Sequence, residues 1–299
     1  MNKYIRFIID SAYRFYTLDC RGFFKKWSDE RYLKAAYRAR FHRRLDLNNP
    51  QSFNEKLNWL KLNDRREQYS ILADKYLVKK YVADIIGEEY VVPCYGAWNC
   101  FDEIDFGNLP EQFVLKANHD SSGATICTNK SKFDIDLHRA RFNKLLSINY
   151  FYRGSREWPY KNIKPMILAE KLLVDATSDK LRDYKFWCFN GVPHYMYCTI
   201  KGGDVYENFF DMDYKPVMIS HGYKRLSPEP QKPLNFELMK KLAAKLSSGI
   251  PFVRVDFFEV EGKVYFGEFT FYDWGGMKPF VTYKQDLHLG NLLDISLCK

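Results

Sequence analysis

The segment from Val253 to Phe271, VRVDFFEVEGKVYFGEFTF, constrains the fold of this 299-residue chain more than any other stretch. It is rich in Val, Phe and Tyr, which favour β-strands, and its central Gly is typical of a hairpin turn. Yet it places Arg254, Asp256 and Glu268 among these apolar residues. Because burying an unpaired charge is costly, these charges must be paired, exposed or bound to a ligand.

The faces that the charged side chains occupy depend on the length of the hairpin turn, because side chains alternate along a strand. A two-residue turn at 261–262 places Asp256 and Glu268 on opposite faces. A three-residue turn at 260–262, with Gly262 in the left-handed conformation, brings both carboxylates to the same face. We expect the three-residue turn.

This turn predicts one apolar face and one polar face that carries Arg254, Asp256, Glu268 and Thr270, with Arg254 opposite Glu268. Two carboxylates on one sheet face suit Mg²⁺, and a neighbouring arginine suits a phosphoryl group in transfer. The alternative, which this stretch alone does not separate from the first, is a buried Arg254–Glu268 salt bridge with Asp256 exposed.

The rest of the chain divides into a helical first third and a strand-rich remainder. Helices are predicted in KYIRFIIDSAYRFY, in DERYLKAAYRARFHRRL, after a capping box formed by Ser52 and Glu55, in SILADKYLVKKYVADIIG up to Gly87, and in FELMKKLAAKLSS. Strands are predicted in YVVPCYGAW, FVLKAN, ATICTN and MILAEKLL, and in a hairpin of DYKFWCF and PHYMYCTI around Asn190-Gly191. This order predicts an α+β fold with antiparallel sheets.

The net charge of +9 points to anionic partners, and the positive excess is concentrated in the helices of residues 3–47. These helices either lie on an anionic membrane surface or form an arm packed on their own domain. Arg6, Asp10 and Arg14 interrupt the apolar start, so we expect no signal peptide, and no apolar run is long enough to span a membrane. Seven scattered cysteines form no C-x-x-C pair. We expect a cytoplasmic protein, with the inner face of the cytoplasmic membrane as the alternative location.

Three further segments carry residue types that suit a nucleotide. In FVLKANHDSSGATI, Lys116 can reach a phosphate and the loop 120–123 can cradle one, although most such loops are ordinary turns. MILAEKLL places Glu170 and Lys171 in an apolar strand on which adenine can lie; the alternative is an edge strand with two solvated charges. DYKFWCF contributes Lys185, which either contacts phosphate or extends to solvent.

Taken in chain order, these residues resemble the ATP-grasp superfamily of carboxylate–amine ligases. There a strand lysine precedes a Ser/Gly-rich loop, a Glu-Lys strand holds adenine, and Arg-x-Asp precedes Glu-x-Asn. The closer similarity is to the TupA-like branch, named for teichuronopeptide biosynthesis, and it covers about residues 30–295. The segments that carry it are NPQSFNEKLNWLKLNDR, LADKYLVKKYV, FVLKANH, DYKFWCFNG, VRVDFFEVEGKVYFGEFTFY and LGNLLDI.

The resemblance implies an ATP-grasp fold, in which two α+β subdomains grip ATP, preceded by a basic helical region. The implied ATP-binding residues are Lys75, Lys116, Ser121, Ser122, Gly123, Glu170, Lys171, Leu173 and Lys185. The implied Mg²⁺ ligands are Asp256, Glu268 and Thr270, and the implied catalytic residues are Arg254 and Lys185. The implied division is a basic helical region at 1–72, a reduced pre-ATP-grasp segment at 73–111, the small subdomain at 112–178 and the large subdomain with the metal site at 179–299.

The sequence departs from the family pattern at two positions. Thr270 stands where an Asn is usual, which weakens the case for a second Mg²⁺. Asp120 follows His119 where a Gly is frequent, so a negative charge lies beside the phosphate loop.

From the resemblance we expect an ATP-dependent ligase that forms an amide through an acyl phosphate, with ATP and Mg²⁺ as cofactors. The implied partners are a uronic-acid-containing glycan, or its sugar precursor, of a capsule or other surface polysaccharide, and an amino acid or amine, but no nucleic acid. One alternative is a glycosyltransferase with a D-x-D metal site at Asp211–Asp213. Another is a non-catalytic protein that binds nucleic acid or membrane, which would leave the charges at 254–268 without a purpose.

Overall fold

The computed structural model describes residues 2–120, 123–153, 155–175, 181–200 and 206–298. The helices in these ranges are α1 (Lys3–Ile9), α2 (Ser11–Cys20), α3 (Asp29–Phe41), α4 (Phe53–Asn63), α5 (Gln68–Ala73), α6 (Val78–Ile86), α7 (Ile135–Leu146), α8 (Phe236–Ser247) and α9 (Tyr283–Leu292). The strands are β1 (Cys94–Trp98), β2 (Phe113–Ala117), β3 (Thr125–Cys127), β4 (Ile167–Lys171), β5 (Arg182–Phe189), β6 (Val192–Ile200), β7 (Asn208–Asp211), β8 (Pro216–Val217), β9 (Phe252–Val260) and β10 (Lys263–Thr270).

The strands form two antiparallel sheets, which confirms the predicted α+β fold. The small sheet has the order β1-β4-β2-β3, and the large sheet has the order β10-β9-β5-β6-β7-β8. The predicted two-residue turn between β5 and β6 is present, and both Asn190 (φ 48°) and Gly191 (φ 82°) adopt the left-handed conformation that such a turn requires.

Local capping sets the helix boundaries in the first third. The predicted capping box starts α4: Ser52 accepts the N–H of Glu55, and the Glu55 carboxylate accepts the N–H of Ser52 at 3.0 Å. The prediction of one continuous helix up to Gly87 is wrong. Asp74 accepts the backbone N–H of Tyr76 at 2.8 Å and thereby interrupts the helix between α5 and α6.

Apolar side chains form three buried clusters. The largest joins the large sheet to α4, α5, α6, α8 and α9, and a second joins the small sheet to α7. The third packs α2 and α3 against Met277, as a helical arm on its own domain would. In contrast, α1 buries none of its residues. The division of the chain at 72, 111 and 178 stays a prediction.

None of the helices in the described ranges has the length and apolar character needed to cross a membrane.

Candidate active site

The turn of the charged hairpin differs from our prediction. Strands β9 and β10 are joined by the two-residue turn Glu261-Gly262, with Val260 opposite Lys263. Both turn residues have a left-handed backbone conformation, at φ 51° and φ 74°. Such a turn is the mirror image of the common type I turn and matches the twist of the paired strands. The prediction of a three-residue turn is therefore wrong.

A β-bulge in β10 nevertheless brings the charges to one face. The register shifts by one residue between Phe266 and Phe269. Gly267 and Glu268 therefore lie together opposite Asp256, and the alternation of side chains is reversed beyond them. A Cβ at Gly267 would lie 3.1 Å from the carbonyl oxygen of Asp256, so the bulge favours glycine here. The polar face that we predicted exists, but the bulge produces it and the turn does not.

On this face, Arg254 binds three carboxylates. Its Nε and Nη2 donate to the two oxygens of Asp256 at 2.7 and 2.8 Å, and Nη2 also donates to Glu268 at 3.1 Å. Its Nη1 donates to Asp273 at 2.7 Å. The residue opposite Arg254 is Thr270 rather than Glu268, as the bulge requires. Asp256 is only 1% exposed, so the alternative with an exposed Asp256 is excluded.

Burial and ion pairing shift the pKa of Arg254 in opposite directions. Burial alone would lower the pKa of Arg254, but the neighbouring Asp256, Tyr197 and Asp273 outweigh it and raise the pKa well above its usual value. The guanidinium is therefore a permanent cation at the centre of the acidic group.

Lys185 lies opposite Asp256 on the adjacent strand β5. Its ammonium donates to Asp256 Oδ2 at 2.5 Å and to Asp183 Oδ2 at 2.6 Å. Only 10% of the Lys185 side chain is exposed, so it does not extend to solvent. Asp183 was absent from our prediction, although the alternation of DYK places it on the same strand face as Lys185.

A second ion-pair cluster lies on the small sheet. Glu170 accepts from Lys79 of α6 at 2.7 Å and from Lys116 of β2. Burial raises the pKa of Glu170, but the two lysines outweigh it and hold the pKa below its usual value. Strand β4 lies inside the sheet and Glu170 is buried, so the edge-strand alternative is wrong; Lys171 is exposed.

Sequence reasoning missed Lys79. Its ammonium also donates to the carbonyl oxygen of Val92 at 2.8 Å, which holds the side chain beside Glu170. The spacing of four residues between Lys75 and Lys79 could have suggested that both point to one side of a helix.

Lys75 reaches the same region from the turn between α5 and α6. Its backbone N–H donates to the carbonyl oxygen of Asn118 at 3.0 Å, just beyond β2, and its ammonium donates to the carbonyl oxygen of Asp120. The Asn118 side chain in turn donates to Asp74 at 2.8 Å. Burial lowers the pKa of Lys75.

These groups meet in one cavity of about 200 Å³ between the two sheets. Its charged lining consists of Lys75, Lys79, Lys116, Asp120, Glu170, Asp183, Asp256 and Glu268. Its other lining residues are Val78, Val91, Val92, Ala117, Gly123, Ala124, Phe258, Phe266 and Gly267. Within the described ranges, the predicted site residues that do not line it are Lys171, Leu173, Lys185, Arg254 and Thr270. Ser121 and Ser122 lie outside the described residues.

The donor set suits Mg²⁺ bound together with a substrate. Among the residues that the structure describes, no group of three or more His, Cys, Asp or Glu side chains is placed to hold a metal ion. Asp256 and Glu268, however, are two neighbouring carboxylates on one wall of the cavity. Mg²⁺ is typically held by one or two carboxylates and completes its shell with waters and substrate phosphates, so this pair fits it.

The D-x-D motif forms a turn between β7 and β8. Asp211 Oδ1 accepts the backbone N–H of Asp213 at 3.0 Å and of Lys215 at 2.8 Å. These hydrogen bonds are typical of an aspartate that stabilises a turn, so a structural role accounts for Asp211.

Comparison with known proteins identifies a family whose model this chain matches. The model of the family described as TupA-like ATPgrasp matches residues 55–294, which confirms the resemblance seen in the sequence. No curated protein is significantly similar to the chain.

Several solved structures of ligases match part of the chain. D-alanine–D-alanine ligase from Bacillus anthracis, complexed with ATP, is 16% identical with a TM-score of 0.39, over 67% of this chain and 53% of that one. The corresponding ligase from Helicobacter pylori is 18% identical with a TM-score of 0.41, over 82% and 70%. The ATP-grasp ligase PsnB, complexed with minimal precursor, Mg and ADP, is 11% identical with a TM-score of 0.41, over 82% and 66%. The chain thus spans about half the length of the first of these ligases.

We predict that Lys79→Met lowers affinity for ATP about tenfold, or roughly 1.4 kcal/mol. Without Lys79, Glu170 keeps its ion pair with Lys116 but loses the one with Lys79. The cavity also loses a positive charge that would attract the anionic phosphates. Isothermal titration calorimetry measures the change. Lys80→Met is the matched control, because the adjacent Lys80 side chain is 83% exposed and pairs with Asp84 on its own helix. Equal ATP affinity in the two variants would contradict the role of Lys79.

Proposed function

The chain belongs to the TupA-like ATP-grasp family, and we propose that it is an ATP-dependent ligase that joins a carboxylate to an amine. The γ-phosphoryl group of ATP passes to a carboxylate oxygen of the acceptor, which gives ADP and an acyl phosphate. The amine nitrogen then attacks the acyl carbon and loses a proton. The C–O bond to phosphate breaks, so phosphate leaves with one of the original carboxylate oxygens.

The observation that carries this proposal is the cavity between the two sheets. One wall, from the small sheet and α6, presents Lys79 and Lys116, and the opposite wall, from the large sheet, presents Asp256 and Glu268. Cations on one wall suit the phosphates of ATP, while carboxylates on the other suit a metal ion that accompanies them. The cations and the carboxylates that an MgATP site needs therefore lie around one small volume, which supports the proposal.

In this proposal Lys75, Lys79 and Lys116 bind the phosphates, and Gly123 contributes backbone to the phosphate loop. Glu170 is buried between Lys79 and Lys116, so it also sets the positions of both ammonium groups. The roles of Glu170, Lys171 and Leu173 toward adenine, and those of Ser121 and Ser122 toward phosphate, stay predictions.

Asp256 and Glu268 would hold Mg²⁺, which when bound neutralises phosphate charge and aligns the transferred group. Thr270 remains a predicted weaker ligand. Arg254 and Lys185 fix the Asp256 carboxylate from two sides, so they orient this ligand before any nucleotide binds. Arg254 also offers positive charge where negative charge develops during phosphoryl transfer.

For the substrates, we propose a uronic acid of a surface polysaccharide as the carboxylate and an amino acid or amine as the nucleophile. The similarity to the TupA-like branch motivates this choice, and the net charge of +9 suits an acidic glycan. ATP and a reducing environment for seven free cysteines favour the cytoplasm as the place of reaction.

We predict that Asp256→Asn lowers affinity for ATP at saturating Mg²⁺ at least tenfold, because an amide replaces an anionic metal ligand. Calorimetry measures the affinity, and a thermal melt verifies folding. Glu268→Gln should also lower the affinity for ATP. Because the Glu268 side chain is 40% exposed, this substitution should cost less folding stability.

Asp213→Asn, in the exposed D-x-D turn, is the control and should bind MgATP like the unmodified protein. Undiminished MgATP binding in both Asp256→Asn and Glu268→Gln would show that the metal assignment is wrong. A loss in Asp213→Asn alone would move the metal site from Asp256 and Glu268 to the D-x-D turn.

We also propose that α1 lies on an anionic membrane surface. It exposes Tyr4, Ile5, Ile8 and Ile9 by 53–71% while carrying Lys3 and Arg6. Exposed apolar side chains beside cations suit the interface between lipid headgroups and acyl chains. Such contact would place the enzyme where membrane-linked polysaccharide precursors are assembled.

Replacing Ile8 and Ile9 together by Asp should abolish sedimentation of the protein with vesicles that contain phosphatidylglycerol, because two apolar anchors become anions. ATP affinity should be unchanged. Leu234→Asp is the matched control, since Leu234 is 90% exposed and lies far along the chain from α1. If the double variant binds the vesicles as well as the unmodified protein does, the proposed membrane contact is contradicted.

A further inference from the structure

An exposed aromatic surface lies next to the carboxylate that anchors Arg254. Trp274 directly follows Asp273 and is 43% exposed, while its neighbours Asp273, Gly275, Gly276 and Met277 are buried. The indole is therefore presented by a packed loop, whereas an exposed side chain on a loop tip would have exposed neighbours.

The backbone of Trp274 is in a conformation that its side chain disfavours. Its φ of 48° and ψ of 29° are left-handed, which is uncommon for a bulky residue. The loop holds it there through Asn58 of α4, which donates to the carbonyl oxygen of Gly276 at 2.8 Å, and through Lys61, which donates to that of Gly275 at 2.6 Å. Strained residues of this kind cluster at functional sites.

Two further side chains complete the surface. The ring of Tyr223 stacks beside that of Trp274, with centroids 5.5 Å apart and planes inclined by 30°. The ammonium of Lys278 lies over both rings, 3.4 Å from the Tyr223 centroid and 4.2 Å from the Trp274 centroid. Among the described residues, no carboxylate lies within 4.0 Å of this ammonium.

The loop that carries Tyr223 is also anchored. The buried Glu207 carboxylate accepts the backbone N–H of His221 at 2.9 Å and lies 2.8 Å from its Nδ1. The His221 ring stacks on Phe280 and meets the Trp274 ring edge-on at 6.3 Å. Both aromatic rings are thus fixed before a ligand arrives, which lowers the entropic cost of binding.

The loop that carries Trp274 begins at a residue that binds Arg254. The Arg254 guanidinium contacts Asp256 and Glu268, which line the nucleotide cavity, through Nε and Nη2. Its Nη1 contacts Asp273, which begins the loop of Trp274. In the described chain, neither Trp274 nor Tyr223 lines the nucleotide cavity. The aromatic surface is therefore separate from the nucleotide cavity, and Asp273 connects its loop to Arg254.

From this arrangement we infer that Trp274, Tyr223 and Lys278 form a subsite for an acidic sugar ring of the acceptor. The exposed part of the Trp274 indole suits the C–H face of a pyranose, and the ammonium of Lys278 suits a ring carboxylate. The inference rests on the proposed ligase function and deepens it: the reacting carboxylate lies at Arg254, and a neighbouring acidic sugar lies on the aromatic surface. The acceptor is therefore an acidic oligosaccharide, longer than one sugar.

Binding of trigalacturonic acid without ATP tests this subsite, measured by calorimetry beside the neutral trisaccharide galactotriose. The variant Trp274→Asn removes the indole, and asparagine tolerates the left-handed backbone, so the loop should stay intact. It should bind trigalacturonic acid at least tenfold more weakly than the unmodified protein. Lys278→Met keeps the aliphatic stem and should lower affinity for the acidic trisaccharide while leaving the affinity for the neutral one unchanged.

Trp27→Phe is the matched control, because Trp27 lies at a basic groove of α3 beside Arg31, outside the proposed subsite. It should bind trigalacturonic acid normally. The subsite is overturned if Trp274→Asn binds the trisaccharide as tightly as the unmodified protein. It is also overturned if only Trp27→Phe loses affinity for the trisaccharide.

Binding of MgATP, measured in parallel, separates the subsite from the ligase function. Normal MgATP binding with no trisaccharide binding by the unmodified protein overturns the subsite alone. Trisaccharide binding that depends on Trp274, in a protein that does not bind MgATP, supports the subsite and overturns the ligase function.

Discussion

The buried guanidinium of Arg254 is the interaction on which the site depends. It joins Asp256 of β9, Glu268 of β10 and Asp273 of the following loop through four hydrogen bonds. Burying this charge would be prohibitive without such partners, and removing one partner of a buried ion pair typically costs about 3–5 kcal/mol. The cation therefore holds three carboxylates close together, although their mutual repulsion would otherwise separate them. The proposed metal ligands and the loop of the proposed sugar subsite are positioned by the same side chain.

The charged hairpin shows how far sequence reasoning reaches. The polar face was predictable because three charges in an apolar strand pair require a common partner or ligand. Its geometric origin was not, because the two-residue turn alone places Asp256 and Glu268 on opposite faces. The bulge at Gly267 reverses the alternation. A glycine inside a strand is a signal for a bulge. A bulge at Gly267 would have allowed us to predict both the two-residue turn and a shared face for Asp256 and Glu268.

Other site residues escaped prediction because their roles depend on distant contacts. Lys79 is one of two adjacent lysines in α6, and only the fold places it against Glu170. Lys61 is wholly buried, and its ammonium donates to Asn58, to the carbonyl oxygen of Ser155 and to that of Gly275. Burial lowers the pKa of Lys61 to about 7. Local pattern cannot reveal a lysine whose acceptors lie up to 214 residues away along the chain. By contrast, the capping box of α4 and the Asn190-Gly191 turn are local, and both were predicted correctly.

The central claim is that the carboxylate becomes phosphorylated before the amine attacks it. The most direct measurement uses trigalacturonic acid labelled with ¹⁸O in its carboxylates, together with ATP, Mg²⁺ and a mixture of amino acids. Mass spectrometry of the released phosphate then follows the oxygen. The account predicts one ¹⁸O in the phosphate for each amide formed, because the bridging carboxylate oxygen leaves with phosphate. Formation of amide and ADP with unlabelled phosphate would contradict an acyl phosphate, and sugar transfer from a sugar nucleotide without ATP would contradict the ligase function.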